Sequence, residues 1–319
     1  MTVVFLTEKT SSGKDAAMSE WAGRWWCVDA PYLIRLFWES FSSKSYVDDS
    51  WYANDLGLAE QIQKCLGISP NLNMECEAVQ KTVDAVVNEI RYSIDKGPER
   101  AFICLDSGTS ARKKLDPLYK RCRSPLPAEY WGCYFALIRE LQDDLGEHAE
   151  LVVSPDWEAD DCLATIAKRA VVAGKQCIMM VTDKDLRQCL VHGKVNMQRR
   201  VKNKMGVPSW DFFTARHAEI DWQVMSDRFL EVQMLAGDAT DRIQGCRGIA
   251  IPSAAKLLNE YGSIEKMKLR DSFPVLKRRD YETNLLEYLK KDVEKIRPMV
   301  ELRTDLTMYN PFSEEEVVF

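Results

Sequence analysis

Leu151-Val152-Val153-Ser154-Pro155-Asp156-Trp157-Glu158-Ala159-Asp160-Asp161 passes from a short apolar run through a turn into four acids within six residues. Directly after it, Leu163, Ile166, Ala167 and Ala170 recur at the spacing of one helix face. The unit this predicts is a strand, an acidic turn and a helix. The same unit recurs along the chain. Residues 25–28 end at Asp29, 101–105 at Asp106, and 177–181 at Thr182-Asp183. Each run is short, apolar and bounded by turn residues, as buried strands are, although periodicity alone leaves a short helix open. Val79, Val83, Val86, Val87, Ile90 and Ile94 mark another helix between two of them. Strands alternating with helices predict an α/β fold, a mainly parallel sheet flanked by helices. Sites in such sheets lie beyond the carboxyl ends of the strands, and here that edge would carry the acids.

Outward from this core the pattern changes. Residues 1–24 are mostly small and polar with little periodicity, which predicts a flexible tail. An α/β domain is expected over 25–208. From about 209 the strand signal fades, and 229–235, 253–261 and 281–296 read as helices, so a helical domain over 209–319 should follow. The chain has 319 residues, 46% of them hydrophobic and 29% charged, which excludes a wholly disordered protein. Its longest apolar run, residues 133–138, is too short to span a bilayer. The apolar stretch at 3–6 is too brief for a signal peptide, and Glu8, Asp15 and Glu20 argue against a transit peptide, so a cytoplasmic protein is expected. The ten cysteines include no CxxC pair, and the three histidines are far apart. Reduced, buried thiols are expected, and no zinc site.

Net charge is −6, yet the distribution is uneven. Residues 112–123 hold six Lys or Arg and one acid, and residues 194–204 hold five and none. A single Asp after a strand commonly caps the next helix, and an acid cluster at a helix start has favourable dipole electrostatics. What capping explains poorly is the conjunction. Asp29, Asp106, Glu158, Asp160, Asp161, Asp183, Asp185, Asp238 and Asp241 come from five separate segments. Nine carboxylates on one rim would repel strongly unless cations sat among them. Oxygen-only ligands suit Mg²⁺ or Mn²⁺, and two such ions can promote phosphoryl displacement. The neighbouring basic run fits a polyphosphate partner, with a solvated helix face as the plain alternative. Tyr119 within it could stack on a base or simply pack.

These residues resemble the flap-endonuclease-like 5′-nucleases, including the 5′→3′ exonuclease domain of bacterial DNA polymerase I and its stand-alone relatives. The likeness rests on Leu105-Asp106-Ser107-Gly108, Arg112 and Tyr119-Lys120-x-x-Arg123, then Glu158-Ala159-Asp160-Asp161 and Thr182-Asp183-Lys184-Asp185-Leu186. It continues through Gly237-Asp238-x-x-Asp241, Gly245-x-x-Gly248-Ile249 with Ala254, Lys256, Leu257 and Leu258, and Arg303-Thr304-Asp305-Leu306.

The resemblance implies a PIN-like nuclease domain, a helix–three-turn–helix DNA-binding element, and a role in DNA replication and repair. It places the nine acids as ligands of two Mg²⁺ or Mn²⁺ ions. One ion would lie mainly among Asp106, Glu158, Asp160 and Asp161, the other among Asp183, Asp185, Asp238 and Asp241, with Asp29 acting through water. Lys120, Arg123 and Arg112 would be catalytic. Tyr119, Lys113, Lys114, Arg121, Gly245, Gly248, Ile249 and Lys256 would bind DNA, with K⁺ admitted at the hairpin. The implied partners are DNA with a 5′ end or flap and a separate polymerase, with no membrane, and the protein would be a monomer.

Three features depart from the family pattern: a polar and helical insert around 42–78, Ala250 where a second glycine is expected, and Pro252 where lysine is common. The last two predict a weak hairpin grip on duplex, with the basic runs carrying more of the binding. No polymerase domain is visible, which suggests a free-standing enzyme or one part of a complex. Two rival functions are a DNA-binding protein without catalysis, which would gain nothing from anions beside phosphates, and a Mg²⁺-dependent phosphatase, which would need neither basic run.

Overall fold

The computed structural model describes residues 21–41, 77–108, 110–121, 123, 128–142, 145, 149–202, 208–313 and 315–319. Most of the polar insert, 42–76, lies outside them. The apolar runs form parallel strands: β1 (Arg24–Asp29), β2 (Arg100–Cys104), β3 (Ala149–Val152) and β4 (Gln176–Met180). Two further strands, β5 (Val195–Lys202) and β6 (Pro208–Phe213), complete one sheet of order β3-β2-β1-β4-β5-β6. The first five are parallel, and β6 returns antiparallel to β5. The sheet therefore extends past residue 208, and the strand signal does not end there.

Alternation along β1 explains why both faces are covered. Trp26 and Val28 pack with Leu33 and Ile34 of α1 (Ala30–Phe41), Val83 and Ile90 of α2 (Glu77–Ile94), and Tyr134 of α4 (Ala128–Gln142). Trp25 and Cys27 face the opposite layer, with Leu163 and Ile166 of α5 (Ala159–Val172). A short helix, α3 (Ala111–Leu115), lies between β2 and α4. The end of the expected tail belongs to this core. Trp21 is 1% exposed, and its backbone N–H donates to Lys96 O at 3.0 Å.

Beyond the sheet come α6 (Ala215–Trp222), α7 (Phe229–Ala236), a two-strand turn of β7 (Gly237–Asp238) and β8 (Ile243–Gln244), α8 (Ile251–Tyr261), α9 (Ile264–Lys268), α10 (Arg279–Lys291) and α11 (Val293–Val300). The single helix expected over 281–296 is thus two, divided at Asp292. The chain then returns across α5. Thr165 Oγ1 donates to Arg303 O, Tyr309 bridges Val153, and the Phe319 ring packs on Trp25 and Phe102. Of the described cysteines, six are buried and Cys189 is half-buried, all as free thiols. No described helix is long and apolar enough to cross a membrane.

Candidate metal centre

The sheet order reverses beside β1, between β2 and β4, and the acids gather at the carboxyl edge there. Asp29 closes β1, where its Oδ1 accepts the Tyr32 N–H at 2.9 Å in the first turn of α1. Asp106 lies two residues past β2, and its Oδ1 accepts the Ala159 N–H at 2.8 Å. An acid from one strand thereby satisfies an open donor at the start of a helix that follows another. Glu158 is the cap residue of α5 and Asp160 sits in its first turn. Asp183 follows β4 and its Oδ1 accepts the Asp185 N–H at 2.9 Å, opening a 3-10 turn over Lys184–Cys189.

Burial first, and then repulsion among these groups, raises several of the carboxyls. Burial, then Asp106, with Asp183 adding to them, pushes the Asp29 carboxyl up to about 7. Burial and Glu158 raise Asp106. Burial, Asp183 and Asp29 hold Asp160 well above the usual carboxylate range. Burial, then Asp183 and Asp238, with Asp241 also contributing, pushes Asp185 up to about 7.

Asp185, Asp238 and Asp241 also each offer a carboxylate oxygen within 4.8 Å of the others. The turn that presents the last two needs glycine. A Cβ on Gly237, where φ is +67°, would stand 2.2 Å from Gly245 N, and one on Gly245 would stand 2.3 Å from Gly237 N. Two backbones meet where no side chain fits.

Basic side chains close the mouth. Lys120 Nζ lies 2.8 Å from Glu158 Oε1 and 3.9 Å from Asp241 Oδ2. Arg123 donates to Asp241 Oδ1 through Nε at 3.0 Å and Nη2 at 2.5 Å. Lys184 Nζ is 3.1 Å from Asp238. Burial alone would lower the Lys120 pKa, but Glu158 beside it lifts it above the ordinary lysine value. In the same contact Glu158 is held below the usual range against its own burial, by Lys120 first and then Arg112. Lys120 adopts φ 54°, a left-handed conformation that its backbone N–H secures by donating to Asp241 O at 3.1 Å.

Eight of the nine acids are brought together. Asp161 is the exception. Arg112 grips it through two bonds of 2.6 and 2.7 Å, and its Oδ1 also accepts the Arg303 N–H at 2.9 Å. Helical geometry turns adjacent residues about 100° apart, so Asp160 and Asp161 face different surroundings. Arg112 is itself 2% exposed, and it also contacts Glu158 at 3.4 Å and Glu301 O at 3.1 Å. Its guanidinium is thus taken up by protein partners, and it borders the rim beside Glu158.

Tyr119 is likewise 4% exposed, and its OH donates to Glu158 Oε2 at 2.9 Å, so it is not a platform for bases. The Ile249 side chain is buried in the same core cluster as Leu257 and Leu258. Gly248 takes φ +88° against the Tyr281 ring, whereas Ala250 sits at φ −99° as the cap of α8, a conformation open to any residue. Pro252 falls in the first turn of α8. Lys113, Lys114, Arg121 and Lys256 are exposed, and Lys114 pairs with Asp156 at 2.6 Å.

The sequence reading missed Lys184, Arg35 (whose charge lowers Asp29 and Asp106), Gln188 and Gln233. Lys184 was legible between two acids. The glutamines carry no motif.

The donor set fits a hard divalent cation. It is all oxygen, it includes three carboxylates converging on one point, and the buried Asp160 Oδ1 has no hydrogen-bond partner among the described residues. A parallel sheet whose carboxyl edge gathers acids in this way fits the PIN-like fold that the resemblance implies.

Residues 63–217 match the family described as 5′-3′ exonuclease, N-terminal resolvase-like domain. The thermostable DNA polymerase I of Thermus thermophilus is 31% identical over 238 residues, covering 73% of this chain and 26% of the polymerase. Flap endonuclease Xni of Colwellia psychrerythraea is 26% identical over 238 residues, covering 71% of this chain and 73% of that protein. The chain spans about a quarter of the length of the Thermus polymerase. The fold is similar to that of the bacteriophage T5 D15 flap endonuclease, solved as a pseudo-enzyme-product complex with DNA and metal ions. Their TM-score is 0.61 at 16% identity, with 88% of this chain and 90% of that one covered. In sequence and fold this chain resembles the flap-endonuclease-like 5′-nucleases.

Proposed function

We propose that the protein is a divalent-metal-dependent 5′-nuclease that hydrolyses phosphodiesters near DNA 5′ ends and flaps. The observation that carries this reading is the eight-carboxylate rim with Lys120 and Arg123 at its mouth. Asp185, Asp238 and Asp241, with Asp183 beside them, would hold one Mg²⁺ or Mn²⁺ ion, and Asp106, Glu158 and Asp160, with Asp29 near them, a second. When bound, such ions supply an activated water and stabilise the departing oxygen of an in-line displacement. The chain's own part is positioning and charge. Lys120 and Arg123, which pair with Glu158 and Asp241, would turn to a substrate phosphate and offset charge in the transition state.

Arg112 and Asp161 fix the base of Glu158 from behind. The exposed Lys113, Lys114, Arg121 and Lys256 would hold the sugar-phosphate backbone, and the likeness to polymerase I suggests a separate polymerase as partner. The test is a 5′-flapped duplex incubated with Mg²⁺, with and without chelator, beside a generic phosphate monoester. Chelator-sensitive cleavage of the flap alone is expected. Cleavage of the ester but not the flap would make the protein a phosphatase, and binding without cleavage would make it a DNA-binding protein.

A further inference from the structure

Among the acids at the rim, Asp185 is held by an uncharged side chain. Gln233 Nε2 donates to its Oδ1 at 2.6 Å, from a residue only 6% exposed on α7. Gln233 Oε1 in turn accepts from Gln188 Nε2 at 3.2 Å, and that nitrogen also lies 2.9 Å from Asp185 O and 3.0 Å from Val300 O. Gln188 Oε1 accepts the Leu302 backbone N–H at 3.0 Å. The order of donors and acceptors is set from one end. A backbone N–H can only donate, so Leu302 fixes which way the Gln188 amide faces. That orientation turns the Gln188 NH₂, whose two hydrogens are shared among three acceptors, toward the Gln233 oxygen, which leaves the Gln233 NH₂ for Asp185.

We propose that Gln188 and Gln233 form a positioning relay, anchored on the backbone at Val300 and Leu302, that fixes the Asp185 carboxylate for cation binding with Asp238 and Asp241. The inference rests on the cation-site reading above and adds residues to it. An amide suits the task better than a cation. Lys184 and Arg123, which face Asp238 and Asp241, balance negative charge and must give way to an incoming ion. Gln233 orients its carboxylate while leaving the charge for the ion. Outer partners of this kind commonly affect metal affinity ~10–100-fold.

The test measures Mn²⁺ binding to the metal-free 319-residue chain by electron paramagnetic resonance, without DNA, alongside melting in chelator. Gln233→Leu should weaken one ion ~10–100-fold and leave the chelator melting temperature within a few degrees. Gln188→Leu should weaken the same ion by less. In an Asp185→Asn background, Gln233→Leu should cause no further loss, because the carboxylate it orients is gone. Gln233→Asn, which shortens the reach and keeps the amide, supplies the same comparison if the leucine variant does not fold. Mn²⁺ affinity within twofold of the parent in Gln233→Leu or its substitute would overturn the relay, as would an equal loss in the Asp185→Asn background. Unchanged affinity in Asp185→Asn itself would overturn the cation-site reading, and the relay with it.

Discussion

Asp160 and Asp161 are neighbours in the chain with opposite circumstances. One faces the rim, where burial and other acids hold its carboxyl well above the usual range and Oδ1 has no hydrogen-bond partner among the described residues. The other faces a wall in which Arg112 and the Arg303 N–H satisfy its oxygens. The rim is a region where negative charge exceeds what the protein itself can balance, and the wall is one where it is balanced. That difference separates a surface built for an added cation from one built for stability, and identical residue types cannot reveal it.

The wall is where one substitution exposes the difference most directly. Asp161→Ala strands a buried guanidinium and should cost about 3–5 kcal/mol of stability, read by denaturant unfolding. The double change Asp161→Leu with Arg112→Met should recover most of that loss, because apolar groups can replace a buried ion pair. A loss no larger than that of an exposed ion pair would erase the distinction between the two acids.

On the rim the expected loss is of activity. Asp160→Asn and Asp183→Ala should each lower turnover on a 5′-flap by at least ~10²–10³-fold, the scale of removing one transition-state stabiliser, while DNA affinity is retained. Turnover and affinity would be measured in one buffer, and near-normal turnover in both variants would refute the assignment.

A smaller effect should follow pH. Asp29 and Asp185 titrate at about 7 in the folded, metal-free protein, against about 4 in an unfolded chain. The folded state therefore binds more protons across that window, and stability from this source is lost as pH climbs from about 4 through 7. Mg²⁺, binding only the folded state, should restore more at pH 8 than at pH 5. Melting curves at the two values, with and without the ion, check the sign. An equal benefit at both would mean that the rim acids do not repel as described.

The smallest effect concerns the hairpin. Because Ala250 is unstrained, Ala250→Gly should change little, and Pro252→Lys alone should steepen the salt dependence of duplex binding by about one phosphate contact. An unchanged slope would show that the start of α8 does not meet the backbone.

The parallel sheet was legible because its inner strands are apolar on both faces and stop at acids. The β5–β6 hairpin was not, since Arg199, Arg200, Lys202 and Asp211 interrupt the apolar pattern on strands that lie toward the sheet edge. The convergence of acids could be inferred from strand ends, whereas the fate of Asp161 depended on Arg112, far away in sequence. Tyr119 misled for a related reason. Its place in a basic run suggested a surface, and the fold turned the ring inward onto Glu158. Trp21 was masked by the small polar residues that precede it.

Lys120 sets backbone strain against charge balance at one position. A non-glycine residue in the left-handed region carries a backbone cost of about 1–2 kcal/mol, which a glycine would relieve. Lys120→Gly would also delete the ammonium group between Glu158 and Asp241 and leave the largely buried Glu158 without its first charge partner. Breaking a buried pair costs more than the strain, so a screen for heat resistance alone should keep lysine at position 120.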